Sequence, residues 1–328
     1  MATYKETHGT AVQNYSGDPA NPITGQLWYN ETSGTLKLSS VTSAAAWSSG
    51  GATNTARSYV AGAGITTAAL IFGGSTPPVS ALNESYNGTT WTELADLNTA
   101  RSAIGGAGIQ TSALAFAGNL ENPTNFDLTE SWNGSAWTEV ADLNSGRSEV
   151  SSAGVSNTSA LCFGGQAVAV TETWNGTSWT EVGDLNSGRV HMGSNGTVTS
   201  ALGYGGGPAN STVALCESWN GTSWTEVGDL NVTRTYAGGA GTDNTAALCI
   251  GGSLNPPDGA KLANVEEWNG TAWTAQTALT ATRAAGAYGG TTSSAFAATG
   301  FFTEPTRTTT TEEWVGAGVE ETQTITTS

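Results

Sequence analysis

Among 328 residues there are only three cysteines, two histidines and ten lysines plus arginines. Each shortage closes a route. His8 and His191 are the only histidines, and no group of His, Cys and acids has ligand spacing, so a copper or zinc centre is not expected. His191 alone lies beyond the N-terminal region, which leaves no Ser-His-Asp relay to assemble. Cys162 and Cys249 hold the same place in two similar stretches, and Cys216 precedes a recurring Glu, so three small buried thiols are expected and not a bridge. The formal charge of −17 argues against nucleic acid or an anionic membrane as partner. No apolar run is long enough to span a bilayer. The polar opening (MATYKETHGT) does not read as a signal peptide, so export by a standard secretory signal is not expected. No cofactor, metal or catalytic residue is assigned.

What is abundant is glycine, with 44 residues, and tryptophan, with 12, in a background of Thr, Ser and Asn. That profile predicts many short strands joined by tight turns. Six arginines, Arg57, Arg101, Arg147, Arg189, Arg234 and Arg283, each lie ten residues after a tryptophan (Trp47, Trp91, Trp137, Trp179, Trp224 and Trp273). The chain is therefore one unit of 42 to 49 residues written about six times. Within a unit, a small-residue stretch follows the Arg, then an apolar run closed by Gly-Gly, a loop, and two runs separated by Asn-Gly. Asn-Gly between strand-like runs predicts a two-residue type I′ hairpin, hence four antiparallel strands a to d per unit. With Asn133 and Gly134 as the turn, Trp132 should face Ser135, and Glu130 should face Trp137. Glu130, Trp132 and Trp137 then share one sheet face. The Glu that recurs once per unit (Glu84, Glu130, Glu172, Glu217, Glu266, Glu312) is expected to be partly buried and neutralised by a repeat Arg or by backbone donors. A ring of arginines around a central channel, able to hold an anion, is the rival reading. One Glu matched to one Arg per unit speaks against it.

Four-stranded units at this period, with Gly-Gly after strand b and aromatics in strands c and d, resemble kelch repeats over about residues 47 to 318. Phe72-Gly73-Gly74, Phe163-Gly164-Gly165, Tyr204-Gly205-Gly206 and Ile250-Gly251-Gly252 carry the likeness, while two units read Ala117-Gly118 and Thr299-Gly300 instead. The resemblance implies an all-β fold, a six-bladed kelch-like β-propeller of four-stranded blades. Two closures of the ring are open. In the more economical one, the Trp47 strand completes the last blade; in the other, Val319 to Thr327 does so. The domains expected are an N-terminal extended arm and hairpin (1–46), the propeller (47–318) and a C-terminal tail (319–328). Enzymes are known on propellers, but the hairpin Ser131 to Trp137 lacks the spacing and acid of the sialidase box, and no enzyme activity is expected.

The spacing also locates variability. From the strand-c aromatic to the next Arg is always 15 residues, and from Arg to the end of Gly-Gly is 17 or 18. From there to the next strand-c aromatic it ranges from 9 to 16. Length variation therefore lies in the b–c loops, which share one side of the disc with the d–a links. Variable loops on a rigid scaffold are where binding tends to be placed. Asn122, Phe126, Pro256, Pro257, Asp258 and Lys261 are the candidate contacts.

Residues 1 to 46 do not follow the repeat. They predict an extended arm, then a hairpin with strands Gln26 to Tyr29 and Thr35 to Leu38. The pattern Gly25-Gln26-Leu27-Trp28-Tyr29-Asn30, followed by Ser33-Gly34, Leu36-Lys37 and a later Trp, resembles a short module at the front of virion proteins of tailed bacteriophages. The resemblance implies an arm that docks on other virion proteins, with Trp28 and Tyr29 as candidate assembly contacts. The leading expectation is a non-enzymatic virion structural protein, a tail fibre or a tail- or capsid-associated protein. It would be present in many copies and use its propeller for assembly or for attachment to a host surface glycan or protein. A cellular kelch-type protein-interaction module is the alternative.

Overall fold

The computed structural model describes residues 12–19, 26–41, 44–120, 124–208, 211–254, 259–303, 306–318 and 320–325, the side chains of 41, 303, 320 and 321 excepted. The chain divides into two compact units, Trp47–Trp314 and one that joins Met1–Ala46 to Val315–Ser328.

The larger unit is an all-β propeller built from four-stranded sheets. Its first blade runs Ala61–Ile65 (a), Ala68–Phe72 (b), Asn83–Tyr86 (c) and Trp91–Glu93 (d), paired in that order. The a strands of the following sheets are Gly105–Ile109, Ser151–Ser156, Gly193–Thr197, Gly238–Asp243 and Ala287–Gly290. Each a strand packs against the next, and Ala287–Gly290 returns to Ala61–Ile65, so the sheets close into a ring. Small residues on these inner strands let them approach closely around the axis. In the last sheet, strand d is Ala46–Gly50, paired with Thr311–Val315. Trp47 thus closes the ring on the final blade. Its ring lies 5.3 Å from that of Trp314, the same spacing as Trp132 and Trp137 within one hairpin. Trp47 Nε1 donates to the Thr277 carbonyl at 3.1 Å.

The units with 18 instead of 17 residues between Arg and Gly-Gly are those of Arg147 and Arg234. Both show a register shift between strands a and b, between Ala153 and Ser156 and between Ala240 and Asp243. The extra residue is absorbed as a bulge, which leaves both strand ends in place.

The c–d hairpin differs from its sequence reading. Trp132 pairs with Trp137 and Glu130 with Glu139, so Asn133 to Ala136 form a four-residue loop. Only Gly134 has positive φ, whereas type I′ requires it at both central positions. The cause is the Asn133 side chain, whose Oδ1 accepts the amides of Ser135 and Ala136 at 2.9 and 3.0 Å. The shift is by two residues, so face parity survives, and Glu130, Trp132 and Trp137 still share a side.

Ala117 and Thr299 stand where the other units have the first Gly of Gly-Gly, and they keep its left-handed backbone, with φ of 61° and 53°. At Thr299 the hydroxyl repairs part of the cost: it accepts the Arg57 amide at 2.8 Å and donates to the Thr308 carbonyl at 2.9 Å. Where glycine remains, a side chain has no such room. A Cβ on Gly205 would lie 2.6 Å from the Arg234 carbonyl oxygen. Gly205→Ala is expected to lose about 2 kcal/mol in urea unfolding, the left-handed penalty plus the clash; an unchanged midpoint would count against the fixed backbone.

The smaller unit is a four-stranded sheet in the order Gln13–Tyr15, Leu27–Asn30, Thr35–Val41, Glu320–Ile325. The hairpin forms where it was expected, with Tyr29 opposite Leu36. The C-terminal segment expected to be a tail is instead a strand: Leu36 pairs with Ile325 and Val41 with Glu320. Its alternation of Thr with Gln and Ile suits a sheet edge.

Candidate functional site

The repeat arginines do not line the channel. Each is buried and paired with the repeat Glu of its own blade: Arg57 with Glu84 at 2.7 Å, Arg101 with Glu130 at 3.1 Å, Arg147 with Glu172 at 2.5 Å and Arg189 with Glu217 at 2.8 Å, besides Arg234 with Glu266 and Arg283 with Glu312. Burial draws the Arg57, Arg101 and Arg283 guanidinium groups below their ordinary pKa, against the pull of the facing Glu. The second carboxylate oxygen is held by a residue the sequence reading passed over, three positions before the Arg. Asn54, Asn98, Asn144, Asn186 and Asn231 each give it a backbone and a side-chain N–H, and Thr280 gives its amide and hydroxyl. The three cysteines are free and buried; burial pushes the Cys162 thiol up to about 11 and those of Cys216 and Cys249 to about 12. Among the described residues no group of three or more His, Cys, Asp or Glu lies together.

Of the loop candidates, Asn122, Pro256, Pro257 and Asp258 lie outside the described residues. Phe126 is half-buried at a loop root: its amide donates to Gly118 O at 2.8 Å and its carbonyl accepts the Arg147 amide. Lys261 is half-buried and bridged to Ser253. The two belong to sheets three places apart in the cycle, so the fold does not bring them together. In the small sheet, Trp28 is fully buried and donates to Asp18 Oδ1 at 3.0 Å, while Asn30 donates to the same oxygen at 2.7 Å. Hydrogen bonds from Asn30 and Trp28 hold the Asp18 carboxyl below its ordinary range. Trp28 therefore orders its own sheet instead of facing a partner, and of the two candidates only Tyr29 is exposed.

The side chains that do converge are two positions after each Arg: Tyr59, Ala103, Glu149, His191, Tyr236 and Ala285. All six have positive φ, between 53° and 62°. Each amide donates to the carbonyl of the same position in the preceding blade, and Tyr59 N donates to Ala285 O, so six hydrogen bonds of 2.8 to 3.3 Å form a closed circle. These residues precede strand a, at the end where strand b enters its b–c loop, and so ring the channel mouth on the variable-loop side. A cavity of about 90 Å³ lies among them. Behind it is a channel cavity of about 340 Å³. Val60, Ile104, Val150, Met192, Ala237 and Gly286 line both. Across the mouth, Phe301 meets Tyr59 at 5.5 Å, Tyr59 meets Tyr236 at 5.7 Å and Tyr236 meets His191 at 3.8 Å, between ring centroids. His191 Nε2 is 3.3 Å from Glu149 Oε1.

Burial would raise the Glu149 pKa, but the hydrogen bond and charge of His191 overcome it and hold the group below its ordinary value. A depressed carboxylate contributes stability above its unfolded pKa and loses it as pH falls through the folded one. In His191→Ala only burial remains, so a carbon-13 NMR titration should find the Glu149 midpoint raised relative to the unmodified chain. A midpoint that does not move would mean the two groups are uncoupled.

No protein-family model and no curated protein matches the chain. Among solved structures 325 chains match, so this is a widely used architecture and does not by itself select a function. The class is the all-β propeller. One such structure is that of YjhT, with a TM-score of 0.68 over 79% of this chain and 95% of that one. At 12% identity the likeness concerns the fold alone.

Proposed function

We propose that the chain is a non-enzymatic structural protein of a bacteriophage virion, a tail fibre or a tail- or capsid-associated protein, whose kelch-type propeller serves assembly or host-surface attachment. The observation that carries the reading is the internal engagement of the repeat chemistry. Every repeat Arg and Glu is buried against its partner. What is individual to the chain is left on the variable-loop side and in the small N-terminal sheet. That sheet contains the stretch resembling the front of phage virion proteins, with Tyr29 on its exposed face. Weak contacts on such a surface become effective when many copies act together.

The test is the composition of purified particles. Mass spectrometry should find the chain in them at many copies, and immunogold labelling should decorate the tail or capsid. Recovery of the chain only from the soluble cell fraction, as a monomer, would overturn the reading in favour of a cellular interaction module.

A further inference from the structure

We propose that the channel mouth formed by Tyr59, Tyr236, His191 and Glu149 binds one edge of a neutral pyranose ring. The inference rests on the reading of the variable-loop side as an attachment surface, and it names the ligand class and the residues.

The first argument is the backbone. The circle of hydrogen bonds requires a left-handed conformation at six equivalent positions, which glycine adopts without strain. This glycine-rich chain nonetheless places Tyr, Glu, His and Tyr at four of them. Each costs on the order of 1–2 kcal/mol in that region. Strained side chains held by an over-determined frame point to a role for the side chains themselves.

The second argument is chemical. Three rings, Tyr59, Tyr236 and His191, line the mouth, and the buried Phe301 packs edge-on against Tyr59. A cationic ligand is disfavoured: Glu149 is already paired with His191, and the Arg307 guanidinium sits 5.0 Å over Phe301. An anion would meet Glu149 and a chain of formal charge −17. A wholly apolar ligand would strip water from the half-exposed Glu149 carboxylate and leave its second oxygen without a donor. A pyranose has C–H faces for the rings and rim hydroxyls for the carboxylate and imidazole. The cavity of about 90 Å³ holds the volume of roughly three waters, so it takes an edge of one sugar unit and leaves the rest directed toward the b–c loops.

The experiment is saturation-transfer NMR on the full chain with the methyl glycosides of glucose, galactose, mannose and N-acetylglucosamine. Tetramethylammonium and N-acetylneuraminic acid serve as charged controls. At least one neutral glycoside should bind, and Tyr236→Ala should weaken it about tenfold, as loss of an aromatic contact does. Tyr236→Phe should keep the aromatic contact, and Thr138→Ala, exposed on an outer strand away from the mouth, should retain binding. Thermal unfolding confirms that each variant is folded, and Tyr59→Ala replaces Tyr236→Ala if the latter is not. Silence from all four glycosides, binding indifferent to both alanine variants, or preference for a charged control overturns the proposal. Particle composition is read separately. Sugar silence in a chain found in virions defeats this inference alone, and sugar binding by a chain absent from them defeats only the virion reading.

Discussion

Glu217→Ala should remove about 3–5 kcal/mol of stability, the cost of stranding a buried charge. Arg189 is fully buried, with its guanidinium on the carbonyls of Gly205 (2.9 Å) and Leu215 (2.8 Å) and on Glu217 (2.8 Å). Without the carboxylate the guanidinium keeps two neutral acceptors and no counter-charge, too far from water to be solvated. Asn186 loses the oxygen that takes its amide at 2.7 Å and its side chain at 2.8 Å. Against a total stability of about 5–15 kcal/mol, one such loss is a large fraction. Removing both charges, in Arg189→Met with Glu217→Leu, should cost less than Glu217→Ala alone, because most of the penalty belongs to the unpaired partner. Urea unfolding of the single and double variants measures the difference. A single-variant loss below about 1 kcal/mol, the size of an exposed pair, would contradict the buried clamp.

Closure of the ring carries the second large effect. Trp47→Ala is expected to lose about 3–5 kcal/mol, as large aromatic truncations in packed cores do. Trp47 is 8% exposed, rests on Trp314 and donates to Thr277. A chain beginning after Gly50 should do worse. It leaves the last sheet with three strands and the open edge of Thr311–Val315, a template for pairing with other chains. Such a chain should aggregate on refolding, and a synthetic peptide of residues 44–56 added in excess should suppress this. A chain beginning at residue 44 should remain folded. Light scattering and circular dichroism separate these cases; a soluble, native-like chain lacking Ala46–Gly50 would mean that the strand is dispensable.

Much of this was legible because the repeat writes its constraints as counts. One Arg and one Glu per unit pointed to a repeat Arg or backbone donors as the partner of each Glu, since neither charge can be buried alone; which Arg it would be was not legible, because the distance from Arg to its own Glu varies with the b–c loop. Trp47, a strand-d tryptophan with no preceding strands, foretold the closure. The hairpin register differs from the expected one because the Asn side chain is an acceptor of the amides two and three residues on, and not a simple turn former. The clamp Asn hid among many asparagines that serve turns. The channel mouth was illegible for a deeper reason. Its six positions share no residue type, reading Tyr, Ala, Glu, His, Tyr and Ala; what they share is a dihedral angle and a ring of backbone bonds. Sequence periodicity reports side chains, and here the regularity is in the main chain.

The pairing of Thr35–Val41 with Glu320–Ile325 has a consequence for how the ring behaves when its last strand lets go. Val41 and Glu320 are partners, so the segments leading to Ala46 and away from Val315 are held together by a second, separate ladder. If Ala46–Gly50 peels from Thr311–Val315, the Val41–Glu320 pairing still holds the chain closed on itself. Loop-closure entropy has then already been met, and the released strand stays at high effective concentration beside its vacant edge. The second ladder thus joins the two chain segments that flank the closing strand, so its release is expected to be local and quickly reversed.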